Sequence, residues 1–174
     1  MPDSSVYSKF NINSYLRNYA VIGEHPVLGE GWDYLRLRLQ YFMAINPEYI
    51  NSALYYTKAF WYSADANQLI AYKTSDQWSS TGMIWSEKIS AGDEVAYAES
   101  DKNDYYSLQL TDFVKECFGG SLLEESFGLI LKSELSNEYI IASSDNTMYA
   151  PYLVINMNQL PDNFIVKDNI NQVN

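Results

Sequence analysis

The sequence has a single cysteine, Cys117, and a single histidine, His25. One cysteine excludes an internal disulfide and any cysteine-built metal cage. One histidine leaves a catalytic triad or a histidine metal cluster without partners, and His25, placed before Pro26 in a loop-like stretch, reads as a surface residue. Cations are scarce: 11 Lys and Arg face 22 Asp and Glu, a formal charge of -11. Nucleic acid and anionic membrane surfaces need clustered cations, so both are excluded as partners. No apolar run approaches the ~18 to 20 residues of a membrane helix, so no membrane insertion is expected. Met1–Ser5 carries neither the basic nor the apolar region of a secretory signal. An exterior destination would then require a leader already removed or another route of release.

What the chain has in abundance is aromatic and uncharged polar residues. Hydrophobic residues make up 47%, enough to build a core, while charged residues reach only 19%. Aromatics account for 16%, with 16 Tyr, 7 Phe and 4 Trp, so the surface must be rich in Tyr, Asn and Ser. At ~150 residues per domain the length allows one domain.

The periodicity is that of strands. Tyr34 to Tyr41 alternates with period two, placing Leu35, Leu37, Leu39 and Tyr41 on one face and Arg36, Arg38 and Gln40 on the other. Ser52 to Trp61 is apolar or aromatic on both faces, which predicts a central strand covered on two sides. Further strands are expected at Gln68–Thr74, Glu94–Ala98, Tyr105–Leu110, Phe127–Lys132, Tyr139–Ser143 and Pro151–Asn156. Several lie roughly 8 to 12 residues apart, the rhythm of a sandwich or barrel. One short helix is expected near 111–118: Thr111 caps it, Asp112 suits its first turn, and Gly119-Gly120 ends it. Phe113, Val114, Cys117 and Phe118 form its apolar face, with Cys117 as a small packing residue. The stretch Ser75–Asp104 holds one strand and many Ser, Asp and Gly residues, so binding loops could lie there. A single domain over 6–157 is expected, then an extension over 158–174 whose strand-like part, around Phe164 and Val166, either closes the same sheet or exchanges with a neighbour.

Several segments together resemble the DNRLRE-type domain family of bacterial and archaeal surface proteins, close to the disaggregatase-related repeats. Leu35-Arg36-Leu37-Arg38-Leu39 is similar to the family's opening strand, and Ile50 to Tyr56 to its next segment. Trp78-Ser79-Ser80-Thr81-Gly82-Met83-Ile84-Trp85 resembles its Trp-Ser-x-x-Thr-x-x-x-Trp element with one residue fewer. Leu108 to Val114, Phe127 to Lys132, Ser143-Ser144 and Ala150-Pro151-Tyr152-Leu153 follow in the family's order, with Ala150 in place of an arginine. The resemblance spans most of 20–157. It implies an all-β, jelly-roll-like antiparallel β-sandwich without catalytic activity. Some members are carbohydrate-binding modules, alginate binders included, and many are surface stalks or adhesion domains. Alginate is a polyanion, and a chain of charge -11 does not suit it.

The candidate site residues each have two roles open to them. Trp78 and Trp85 either stack on a sugar or clasp their loop onto the sheet, the commoner outcome for such rings. Arg36 and Arg38 either clamp a ligand or pair with carboxylates on a neighbouring strand. Asp101, Asn103 and Asp104 offer hard oxygens for Ca²⁺, although such clusters more often form Asx turns. No other cofactor is expected. Carboxylates are numerous, but no pair is singled out as the two acids of a glycosidase. The resulting expectation is a non-catalytic structural or adhesive subunit of an exterior assembly, such as a spore, cell surface or phage-like fibre. It would self-associate or contact other surface proteins through terminal strands, with Phe164 and Val166 at the contact. The alternative is a carbohydrate-binding module for a neutral polysaccharide.

Overall fold

The structure, a computed structural model, describes residues 3–11, 17–37, 39, 45–62, 69–74, 76–79, 81–100, 104–119, 128–133 and 138–159. Its strands are β1 (Asp3–Tyr7), β2 (Tyr19–His25), β3 (Gly29–Leu35), β4 (Ile50–Tyr62), β5 (Ile70–Thr74), β6 (Ala91–Ser100), β7 (Tyr105–Gln109), β8 (Leu129–Lys132), β9 (Glu138–Ala142) and β10 (Tyr152–Met157). The helix, α1, spans Thr111–Gly119. All strand pairings are antiparallel.

The strands close into a barrel in the order β3-β2-β9-β4-β7-β6-β5-β8, and β8 returns to β3 through Asp33↔Leu131, Tyr34↔Ile130 and Leu35↔Leu129. β1 and β10 are additions to this ring, on β3 and β4. The all-β class and the helix agree with the sequence pattern, but the expected sandwich is corrected to a barrel. Alternation and strand spacing are common to both architectures. The ring is closed by pairings between distant segments, β3 with β8 and β4 with β9, which no local pattern encodes.

Inward residues of the ring fill the interior: Ala20 and Ile22 from β2, Ala53, Tyr55 and Ala59 from β4, Tyr106 and Leu108 from β7, and Tyr139 and Ile141 from β9. Tyr106 meets Tyr139 edge to face at 5.6 Å between ring centroids. Helix α1 supplies Phe113, Val114 and Cys117 to the same cluster, the one-sided spacing expected of it. Burial pushes the Cys117 thiol up from its ordinary 9.0 to about 11, with Glu116 adding to the rise, so it is an inert packing group at neutral pH.

The strand expected over Tyr34–Tyr41 is shorter and starts earlier, ending at Leu35. Leu37 and Leu39 remain buried, but the chain there has left the ladder, with the Leu39 N–H donating to the Leu37 carbonyl at 2.9 Å. A period-two apolar pattern therefore continued beyond the strand it marked. At the N-terminus, β1 pairs along β3 with Val6 opposite Trp32, so this strand joins the sheet of its own chain.

Candidate functional site

The barrel has two contrasting outer faces. On β1, β3, β8 and β5, outward side chains form a second core of Val6, Trp32, Tyr34, Ile70, Tyr72 and Ile130. It is covered by the segment carrying Trp78, Met83, Trp85 and Ile89. Trp78 is only 7% exposed, its ring 5.6 Å from that of Tyr34. The Tyr34 hydroxyl donates to the Ile89 carbonyl at 2.7 Å, and burial raises its pKa above the ordinary 10.0. Gly128 makes the cover possible. Its φ is +90°, and a Cβ there would lie 2.2 Å from the Leu35 carbonyl oxygen and 3.3 Å from Trp78 Nε1. Lys88 and Lys132 lie over Trp32 at 5.2 and 4.5 Å from the ring centre, and Lys88 lies 4.3 Å from that of Trp85.

The opposite face, on β10, β4, β7 and β6, carries no such cover among the described residues. Inward residues of β4 alternate with Leu54, Tyr56, Lys58 and Phe60, which point outward. The register sets Val154, Leu54 and Gln109 in one row and Tyr152, Tyr56 and Ser107 in the next. A cleft of about 480 Å³ opens here, lined by Leu54, Val95, Ala96, Tyr97, Ser107, Gln109 and Asp112. That volume lies within the range of sites for small organic ligands. Tyr97 is 64% exposed, a large flat ring held out from β6 beside an apolar floor. Ser107, Gln109 and Asp112 contribute hydroxyl, amide and carboxylate groups. Thr111 fixes the cleft's helical end: its Oγ1 accepts from Ala53 N–H at 2.9 Å and donates to Gln109 Oε1 at 3.2 Å. An exposed ring next to directed hydrogen-bonding groups suits a sugar, which presents an apolar C–H face and a rim of hydroxyls.

Beyond the cleft the aromatic surface continues. Tyr56 and Tyr152 stack at 5.1 Å with planes 21° apart, and Phe60 meets Tyr149 edge-on at 5.7 Å. Asn146 sets the position of Tyr149: its Oδ1 accepts from the N–H groups of Met148 at 3.0 Å and Tyr149 at 2.8 Å. Lys58 Nζ lies 5.1 Å from the Tyr105 ring centre and 3.5 Å from Asp104 Oδ2.

The residues singled out in the sequence do not gather at this cleft. Trp78 and Trp85 lie in the cover of the opposite face. Arg36 is on that side too, donating from Nη2 to the Trp78 carbonyl, with its Cζ 5.0 Å from the Trp78 ring centre. Arg38, Asp101, Asn103, Phe164 and Val166 lie outside the described residues. Asp104 is described; its φ is 60°, and its carboxylate faces Lys58. Among the described residues no group of three or more His, Cys, Asp or Glu side chains converges. His25 accepts at Nδ1 from the Val27 and Leu28 N–H groups, both at 3.0 Å, and so organises the β2–β3 turn.

The cleft residues Leu54, Ser107, Gln109, Asp112 and Tyr97 were missed because β4, apolar on both sides, reads as doubly covered. The signal was in β6: inward Ala96 is small while outward Tyr97 is large, the reverse of a strand whose aromatic serves the core.

A closed barrel with an open cleft beside an exposed ring offers a surface on which a ligand can be held. The family model for carbohydrate-binding module family 96 matches residues 45–157, well over half the chain, and the chain belongs to that family. The match upholds the carbohydrate-binding side of the earlier resemblance and does not extend to the DNRLRE-type name. No curated protein matches the chain. Among the described residues no helix is long and apolar enough to cross a membrane.

Proposed function

We propose that the chain is a non-catalytic polysaccharide-binding module acting outside the cell, with the β6–β7–β4 cleft as its binding site. The observation that carries this reading is Tyr97, 64% exposed over a cleft lined with Leu54, Ser107, Gln109 and Asp112. A pyranose ring laid on Tyr97 buries its C–H face, while its hydroxyls meet the polar side chains. Asp112 in the cleft wall and the overall charge of -11 favour a neutral glycan over a polyanion. Family membership supports the same class of ligand. The surface-assembly reading draws no comparable support: β1 pairs within its own chain, and Phe164 and Val166 lie outside the described residues.

Affinity electrophoresis against a panel of neutral polysaccharides, with alginate as the anionic control, tests the reading. Retention by at least one neutral polymer and not by alginate is expected. Tyr97→Ala should weaken that retention about tenfold, the scale of one aromatic contact, without moving the melting temperature. Unchanged retention of Tyr97→Ala would remove the cleft as the site.

A further inference from the structure

The cleft accounts for one end of the open face; the aromatic pairs beyond it need an occupant as well. Along β4 the outward residues run Leu54, Tyr56, Lys58, Phe60; Tyr56 and Phe60 pair with the rings of Tyr152 and Tyr149, and the Lys58 ammonium lies over that of Tyr105. Six residue steps lead from Leu54 to Phe60, about 20 Å of extended chain. Phe60 is 46% and Tyr152 47% exposed, so nearly half of each residue stays in water after packing against its partner. A bulge follows: the β4–β9 register shifts between Ala59 and Trp61, which brings Phe60, Trp61 and Tyr62 all into solvent at the strand's end.

We propose that this row is a continuous track for a linear, neutral glycan, lying along β4 from the Tyr97 cleft to the Phe60–Tyr149 pair. The inference rests on the reading of the cleft as a glycan site and adds the ligand's form and direction. The track's length suits several consecutive sugar units, not a chain end held in a closed pocket. Its apolar rungs carry no requirement for charge on the sugar. Lys58, the cation on this row, already faces Asp104, so a carboxylated sugar would find that cation neutralised.

Titration calorimetry with di- and hexasaccharide ladders of linear β-glucan, mannan and xylan series separates the possibilities. For the series that binds, the hexasaccharide should bind at least tenfold more tightly than the disaccharide. Phe60→Ala and, independently, Tyr152→Ala should each weaken the hexasaccharide about fivefold and leave the disaccharide unchanged, with unaltered melting curves. If Tyr97→Ala weakens binding but affinity is independent of chain length, or Phe60→Ala weakens both ligands equally or neither, the track is wrong and the cleft stands. If Tyr97→Ala is silent, the cleft is removed as the site and the track falls with it; if a neutral polymer retains the protein but no ladder binds, the track alone is overturned.

Discussion

The two outer faces of this barrel begin with similar aromatic side chains and end in opposite states. On the β1–β3–β8–β5 face, Trp32, Tyr34 and Tyr72 are roofed by the Trp78–Ile89 segment and become a second core. On the β10–β4–β7–β6 face, Tyr56 stacks on Tyr152, Phe60 meets Tyr149, and Tyr97 stands out from β6. No such roof lies over them among the described residues, and several of these rings remain 37 to 64% exposed. The difference lies in what crosses each sheet, not in the aromatic content of the strands. The aromatic excess thus divides into rings that hold the fold together and rings that are presented to solvent. Tyr suits the second role, because its hydroxyl stays hydrated while its ring offers contact area at little entropic cost.

This contrast should break most visibly when the roof is cut. Trp78→Ala empties a buried indole site and should cost roughly 3–5 kcal/mol by chemical denaturation. Glycan affinity of the molecules that remain folded should be unchanged. Gly128→Ala should follow at roughly 1–3 kcal/mol, since its positive φ and the Leu35 carbonyl 2.2 Å from a built Cβ leave no room for a side chain. The smallest effect is alkaline. Tyr34 is buried under the roof, and its phenol is held above the ordinary 10.0. Its contribution is fully present below pH 10 and is lost as pH rises further, because the unfolded chain ionises where the native one does not. Cys117 loses its share between pH 9 and about 11, and Tyr7, raised mainly by burial, adds to the fall above 10. Denaturation midpoints at pH 8, 9, 10 and 11 should decline accordingly, and Tyr34→Phe should make the decline above pH 10 shallower.

Much of the architecture was legible because strand alternation and helix spacing are local. Ala53, Tyr55, Thr57 and Ala59 share one face, as the period-two pattern predicts, and the barrel turns that face inward, while the helix expected near 111–118 spans Thr111–Gly119. Barrel closure was not legible, since the pairing of Leu35 with Leu129 depends on segments that share no local signal. The site was hidden for a related reason. Leu54, Tyr56 and Phe60 advertise burial as strongly as the inward set, and hydrophobicity cannot say whether a second layer lies above them. Trp78 drew attention by residue type, but its ring faces Tyr34 under the roof. Tyr97 was overlooked among acidic neighbours, although Ala96 beside it leaves the interior to others.

β4 is held on both edges from Leu54 to Tyr56, by β7 on one side and β10 on the other, and β9 takes over the second edge from Ala59 to Tyr62. This arrangement has a mechanical consequence. A pull directed along β4 loads the hydrogen bonds of both ladders in parallel, as in shear, instead of opening them one after another like a zipper. The strand carrying the aromatic row therefore resists a tug along its own axis through two ladders at once where they overlap.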